Sequence, residues 1–97
     1  MAGIKSYNAG SKFTHIAGAA TTQVVTGQGV LRSIVFNTPV AASTVTVIDN
    51  TAGSTANIGV ITNTTVVDPY SLAYNIRFST GLRIITSGAD DITVIHD

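Results

Sequence analysis

Turn-forming residues interrupt this sequence about every ten residues, which limits each regular element to a short run. The runs between the turns are rich in β-branched and aromatic residues, as in Val30–Asn37 and Ser71–Phe78. No segment between two runs is long enough for the crossover helix that joins parallel strands. The sequence therefore predicts an all-β fold of antiparallel strands.

Composition supports the same fold class. Val and Ile contribute 11 residues each and Thr contributes 15, so 37 of the 97 residues are branched at Cβ. Branching restricts χ1 in a helix but fits the pleated surface of a strand. About eight short strands at this spacing predict one antiparallel β-sandwich, jelly-roll-like or Ig-like, over residues 12–97.

Two strands can be described further from their patterns. Ser71–Phe78 alternates strictly, with Leu72, Tyr74, Ile76 and Phe78 on one face, which predicts one buried and one polar face. Val30–Asn37 is apolar on both faces, which predicts a strand covered on both sides. Arg32 is the exception, and we expect it near a strand end or subunit edge, where its guanidinium can reach water or a carboxylate.

The connections are predicted from their turn residues. Gly27–Gly29 precedes a strand instead of a helix, which indicates a hairpin turn and not a phosphate-binding loop. A second hairpin is expected around Asn63. The last three runs, 71–78, 82–86 and 91–96, are predicted to form an antiparallel meander.

Charge and size bear on what the chain binds. Five basic and five acidic residues give a net charge of zero, and charged residues make up 10% of the chain, against about 25% in typical soluble domains. Scattered cations do not form the basic patch of a nucleic-acid-binding protein. The 97 residues contain no cysteine, so disulfides cannot stabilise this small domain. We therefore expect additional burial from oligomerisation or a protein partner.

The amino-terminal residues 1–11 are predicted to form a flexible arm. Ile4 and Tyr7 are its apolar anchors, and they are expected either to dock on a neighbouring subunit or to fray as an ordinary terminus. No basic and apolar leader precedes Ser6, and no apolar run approaches the roughly 20 residues that span a bilayer. Synthesis in the cytoplasm without membrane insertion is the expectation.

The sequence offers few residues from which a catalytic or metal-binding site could be built. His15 and His96 are the only imidazoles, and each is interpreted as a terminal or interface side chain. Asp90 and Asp91 are adjacent, so in an extended strand they point to opposite faces and cannot act as an acid–base couple. Both are interpreted as turn residues, as is Asp49, and a loop-bound cation at these carboxylates is the minor alternative. The sequence predicts no enzyme, no cofactor and no metal site.

Four segments together resemble the small structural proteins of tailed bacteriophages. They are Gly29–Pro39, Thr44–Thr51, Ser71–Leu82 with its Tyr-Asn-Ile-Arg-Phe motif, and Thr86–Ile95 with its Asp-Ile-Thr-Val motif. The resemblance covers residues 28–96. It implies a virion protein without catalytic residues, expected to act as a capsid decoration (cement) protein on the major capsid protein, as a homotrimer.

Two other functions stay open from the sequence. The chain could instead be a tail or head-fibre component of the virion, bound to other virion proteins. A carbohydrate-binding β-sandwich module is the alternative from a different class, and it would need exposed aromatic rings, for which Tyr70 and Tyr7 are the candidates. The residues expected at a protein interface are Ile4, Tyr7, Arg32 and Tyr70.

Overall fold

The computed structural model describes residues 11–64 and 68–97, which form two four-stranded antiparallel sheets. Sheet A has the strand order β1-β8-β3-β6, and sheet B has the order β2-β7-β4-β5. The strands are β1 (Lys12–Ala17), β2 (Ala20–Thr26), β3 (Gly29–Thr38), β4 (Thr44–Asp49), β5 (Gly59–Thr62), β6 (Tyr70–Phe78), β7 (Gly81–Thr86) and β8 (Asp91–His96). The predicted antiparallel β-sandwich is confirmed.

The strand order is that of a jelly roll. The first strand pairs with the last, the second with the seventh, the third with the sixth and the fourth with the fifth, and the pairs β3·β8 and β4·β7 join these into two sheets. An Ig-like sandwich instead places its first two strands side by side in one sheet. Here β1 and β2 lie in different sheets, so of the two predicted architectures the jelly roll is the one observed.

Connections that cross between the sheets follow from this order. Among the described strands, only β4 and β5 are neighbours both in sequence and in a sheet. The predicted meander of β6, β7 and β8 is therefore wrong, since β7 lies in sheet B and the other two in sheet A. The predicted hairpin at Gly27–Gly29 is wrong for the same reason, because this turn carries the chain from sheet B to sheet A. The second arm of the hairpin expected around Asn63 includes residues 65–67, which lie outside the described residues, and its first arm, β5, pairs with β4.

The core lies between the two sheets and consists of one cluster of apolar side chains. All of these side chains are fully or almost fully buried. They come from β1, β3, β4, β7 and β8 and from the end of β6. The members are Ile16, Leu31, Ile34, Phe36, Val45, Val47, Phe78, Leu82, Ile84, Ile92 and Val94.

A β-bulge at Arg32 decides which side chains of β3 enter the core. Leu31 lies opposite His96 of β8 and Ser33 opposite Ile95, so Arg32 is an extra residue on β3. The bulge shifts the alternation by one, which places Leu31, Ile34 and Phe36 inside and leaves Arg32 exposed. The prediction that β3 is covered on both sides is wrong, because only this inner face is buried.

Strand β6 keeps its predicted alternation only in part. The pairing of β3 with β6 shifts between Leu31 and Ser33, and Asn75 adopts a left-handed φ of 51°. Ile76 follows this irregularity and is 36% exposed, although the sequence placed it on the buried face. Phe78, beyond the irregularity, is fully buried.

One end of the sandwich is held by Asp49 at the end of β4. Its carboxylate accepts hydrogen bonds from the backbone N–H groups of Ser79 at 2.9 Å, Thr80 at 2.8 Å and Gly81 at 3.2 Å. The bonds from Ser79 and Thr80 are the main reason why the pKa of Asp49 lies below its usual value. Asp49 was predicted to start its own turn, whereas it fixes the distant turn between β6 and β7.

The opposite end is held by Asp90, which is fully buried. Its side chain accepts hydrogen bonds from Val40 N at 2.6 Å, Ser43 Oγ at 2.6 Å and Asn63 Nδ2 at 3.1 Å. Tyr70 extends the network, since its hydroxyl donates to Asn63 Oδ1. The prediction that Asp90 caps its own turn is wrong, because its partners belong to the β3–β4 connection and to the residue after β5.

The one-sided burial of β3 can be tested by two neighbouring truncations. We expect Ile34→Ala to lower the free energy of unfolding by about 2–5 kcal/mol, because it opens a cavity in the core. Val35→Ala, on the outer face of the same strand, should cost clearly less. Urea unfolding of both variants measures this, and equal losses would contradict the placement of the bulge.

The adjacent aspartates offer a matched pair for the Asp90 network. Asp90→Ala removes the acceptor of the Val40 N–H and of the buried Ser43 and Asn63 side chains, so we expect a loss of about 2–4 kcal/mol in the free energy of unfolding. Asp91→Ala, at the next residue and on the surface, should lower the free energy of unfolding clearly less. Chemical denaturation of the two variants provides the measurement, and a loss for Asp90→Ala no larger than that for Asp91→Ala would contradict the role of the Asp90 network.

Candidate protein-binding face

The outer surface of sheet A is the most open regular surface among the described residues. The strand register brings together side chains from all four strands on this surface, which we call the sheet A face. Its members are Phe13, His15, Ala17, Ser33, Val35, Asn37, Ser71, Ala73, Asp91, Thr93 and Ile95. Asp91 is the only acidic residue in this set, and the exposed Arg32 lies beside Ser33 at the bulge of β3.

Small and apolar side chains dominate the sheet A face. One row across the four strands runs Phe13, Ile95, Ser33 and Ala73. Phe13 is 72% exposed, the largest exposed fraction among the bulky apolar residues that the structure describes. A flat surface with few charges and an exposed aromatic ring has the composition of the core of a protein interface.

A hydrogen-bonded group of polar side chains lies at one side of the sheet A face. His15 Nε2 is 2.8 Å from Asp91 Oδ1, and Asn37 Nδ2 donates to the same oxygen at 3.0 Å. Asn37 also donates to Thr93 Oγ1 at 3.0 Å. The hydrogen bond from His15, followed by that from Asn37, lowers the pKa of Asp91. These mutual bonds reduce the desolvation cost of covering the group with a partner.

The charged residues Arg32 and Asp97 pair beside the row of Phe13, Ile95, Ser33 and Ala73. Arg32 Nε donates to Asp97 Oδ2 at 2.7 Å, which is the main cause of the lowered pKa of Asp97. The expectation that the Arg32 guanidinium reaches a carboxylate is confirmed. Beside this pair, an open groove of about 370 Å³ is lined by Gln28, Gly29, Val30, Arg77 and Asp97.

The outer surface of sheet B is partly covered by the chain itself. The connection between β4 and β5, residues 50–58, folds over it, and Arg83 Nε donates to Gly53 O at 2.9 Å. Gln23 Nε2 donates to Asn50 O at 2.9 Å. Ile48, which lies beside Arg83 on this outer surface, is only 1% exposed. The outer surface of sheet B is therefore not entirely free.

The sequence-predicted interface residues occupy different places. Ile4 and Tyr7 lie outside the described residues. Arg32 is exposed at the bulge of the central strand β3, where it pairs with Asp97. The ring of Tyr70 instead stacks on the buried Phe36, with centroids 4.5 Å apart and an interplanar angle of 9°. Burial, followed by the charge of Asp90, raises the pKa of its hydroxyl.

The candidate carboxylates for a cation have protein partners. Asp49 accepts backbone N–H groups, Asp90 belongs to the buried network, and Asp91 accepts from His15 and Asn37. The opposite orientation of Asp90 and Asp91 is confirmed, because the first is buried and the second is on the sheet A face. Within residues 11–64 and 68–97, no group of three or more His, Asp or Glu residues could hold a metal ion.

His96 was interpreted as a terminal or interface residue, but its side chain is buried at 6% exposure. Its Nε2 is 3.0 Å from Thr14 Oγ1, and its Nδ1 is buried without a hydrogen-bond partner among the described residues. Burial, followed by the nearby charge of Lys12, lowers the pKa of His96 below 6.5. The imidazole is therefore favoured in its neutral form inside the sandwich.

This burial predicts how stability depends on pH. Because the pKa of His96 is lower in the folded chain than its unfolded value of 6.5, the unfolded chain binds the proton more tightly. We expect the free energy of unfolding to fall as the pH decreases through about 6.5 toward the folded pKa. Urea unfolding at several pH values should show this slope in the wild type and a smaller slope in His96→Gln.

Three carboxylates that become protonated only at lower pH provide an internal check on that measurement. Asp49, Asp91 and Asp97 have pKa values below the usual 3.8, so their contribution is lost only as the pH falls below about 4. Both proteins should lose stability equally in that lower range. An identical slope for wild type and His96→Gln between about pH 5 and 6.5 would contradict the role of His96.

Two important residues were missed from the sequence. Phe13 lies in a weak strand pattern, and nothing local distinguishes an exposed from a buried aromatic residue there. Asp90 sits in a Ser-Gly-Ala-Asp turn sequence, and its buried partners are 27 or more positions away in the chain. The alternation of Ile92 and Val94 on the buried face could have placed Asp90 on the same face.

Comparisons with known proteins found no matching family model, no matching curated protein and no matching solved structure. The structure contains no helix, in the part of the chain that it describes, of the length and apolar character needed to cross a membrane.

Proposed function

We propose that this chain is a structural protein of a virion, a capsid decoration protein that binds the outer surface of a phage head through the sheet A face. The observation that carries the proposal is that face itself, with Phe13 at 72% exposure among small uncharged side chains. The resemblance of residues 28–96 to small structural proteins of tailed bacteriophages supplies the kind of partner.

The composition of the face favours a protein partner. Protein interfaces are depleted of charged residues at their centre and enriched in aromatic residues, and the row of Phe13, Ile95, Ser33 and Ala73 has both properties. Its flatness suits a shell surface better than a small ligand, which needs a concave pocket. Many copies on a repeating lattice can each bind weakly and still stabilise the shell, because binding to the assembled state shifts its equilibrium.

The two other readings are weighed against the same surface. Jelly rolls occur in viral capsid proteins and in lectins, so the topology is compatible with glycan binding. Among the Phe and Tyr residues that the structure describes, however, only Phe13 is exposed, and Tyr70 stacks on Phe36 in the interior. A tail or head-fibre component would use the same face and differ only in its position in the particle.

The proposal is tested by adding the purified protein to particles of the phage that encodes it, after removal of the native copies. We expect density for the chain on the outer capsid in cryo-electron microscopy, with the sheet A face against the shell. Val35→Asp places a charge in the middle row of that face, between Thr93 and Ser71, and should lower particle binding at least tenfold. Thr46→Asp places the same charge on the outer surface of sheet B and should leave binding unchanged.

Circular dichroism establishes that both variants are folded. Density confined to the tail or fibres would replace the decoration role by the tail or fibre role. Absence of the chain from the particle, or equal binding by the two variants, would contradict the proposal.

A further inference from the structure

The four sheet edges in the described chain differ in how they are protected against pairing with another strand. Strand β5 has only four residues. Strand β2 is interrupted by a register shift between Gln23 and Val25, and the Gln23 side chain donates to Val25 O at 2.9 Å. Strand β6 contains the left-handed Asn75. Short length, bulges and irregular backbone are the usual means of protecting an edge.

Strand β1 has none of these protections. Its six residues pair with β8 in an unbroken register from Lys12 to Ala17. Of the described edges it is therefore the one with both useful length and regular geometry, the form of edge to which another strand adds most readily.

The alternation of hydrogen-bonded residues along β1 shows which of its backbone N–H and C=O groups face the open edge. Gly18 N, just after β1, donates to Asp90 O at 2.9 Å, and in an antiparallel ladder the residues that face a neighbour alternate. The backbone groups of Lys12, Thr14 and Ile16 therefore turn toward β8. Those of the other three residues, Phe13, His15 and Ala17, turn away from it. The other side of β8 agrees with this assignment. Asp97 N donates to Val30 O at 2.8 Å, so the odd-numbered residues of β8 bond to β3 and the even-numbered ones bond to β1.

The side chain of Phe13 lies on this same edge. Its 72% exposure exceeds that of Val60 at 55% and Ile76 at 36%. A phenylalanine this exposed on an edge strand gains burial when a second strand is added beside it. The open backbone groups and the exposed ring thus point to one occupant, an extended strand with a ring or apolar group opposite Phe13.

We propose that this occupant is β1 of a second copy of the chain, paired antiparallel across a two-fold axis at Thr14. This register pairs residues 12–16 of the two copies and joins the two A sheets into one continuous sheet. It places Phe13 directly opposite His15 of the second copy, twice about the axis, as aromatic cross-strand pairs. Like the proposed function, the proposal uses the exposure of Phe13, but it requires no virion partner.

The charge of Lys12 and the direction of the free backbone groups favour this register over the alternatives. Lys12 is the only Lys, Arg or Asp on β1, and the register keeps the two Lys12 residues about 14 Å apart along the strands. A parallel pairing in register would place them side by side. A two-fold axis at His15 would also satisfy the backbone phase, but it would put the two imidazoles opposite each other and leave Phe13 against the small Ala17.

The strength of the association follows from its size. A ladder between two short strands buries less than the roughly 1,000 Å² that characterises a stable interface. The dimer is therefore expected to be weak and to form reversibly as the protein concentration rises. Its formation can be followed by dilution of the full chain.

Amide hydrogen exchange of the wild-type chain tests the proposal without a substitution. The amides of Thr14 and Ile16 bond to β8 and should be protected at all concentrations. Those of Phe13 and His15 should become at least tenfold more protected between micromolar and millimolar protein, in step with dimer mass in sedimentation velocity. Protection of Phe13 and His15 at every concentration would overturn the proposal, since the edge would then be covered within one chain.

Two matched substitutions test the side-chain contribution. Phe13→Ser should weaken the dimer at least tenfold, because the ring opposite His15 is lost. Val60→Ser removes an exposed apolar side chain from the edge strand β5 and should leave the dissociation constant unchanged. A monomer or a trimer over the whole concentration range, or equal effects of the two substitutions, would overturn the proposal.

Discussion

The jelly roll order imposes one requirement on which the rest of this fold depends. Every connection between successive described strands except β4–β5 crosses from one sheet to the other, so backbone groups leave the ladders at both ends of the sandwich. Such groups are costly to bury without partners. Asp49 and Asp90 meet this requirement from opposite ends of β4, one for the β6–β7 turn and one for the β3–β4 connection. Stability at the ends thus comes from two acidic side chains acting as hydrogen-bond acceptors.

This division has a consequence for the surface. Because buried apolar side chains hold the sheets together and two carboxyl groups hold the ends, the outer surface of sheet A needs no ion pairs for stability. The two ion pairs of the described residues, Arg32–Asp97 and His15–Asp91, lie on this surface toward opposite ends of its strands. The rest of this surface consists of small residues and, on the edge strand β1, the exposed ring of Phe13.

The fold class follows from the sequence because β-branched composition and period-2 alternation are local properties. Residues 71–78 and 91–96 show these patterns plainly, and both are strands. The topology does not follow, because the choice between a meander and crossing connections depends on which strands meet after folding. The Arg32 bulge was hidden for a similar reason: an extra residue is recognised only against the partner strands. The buried role of Asp90 depends on Val40, Ser43 and Asn63, none of which is near it in the chain.

The adjacency of the buried Asp90 and the exposed Asp91 disfavours a shift in the register of β8. Strand β8 lies between β1 and β3, so its position is fixed on both sides at once. A slip by one residue would exchange the two aspartates, pull Asp91 from its surface partners and turn Ile92 and Val94 to the outside. Such a misaligned state loses core burial and buried hydrogen bonds together. The pair therefore penalises the nearest competing alignment in a topology whose distant pairings make folding slow.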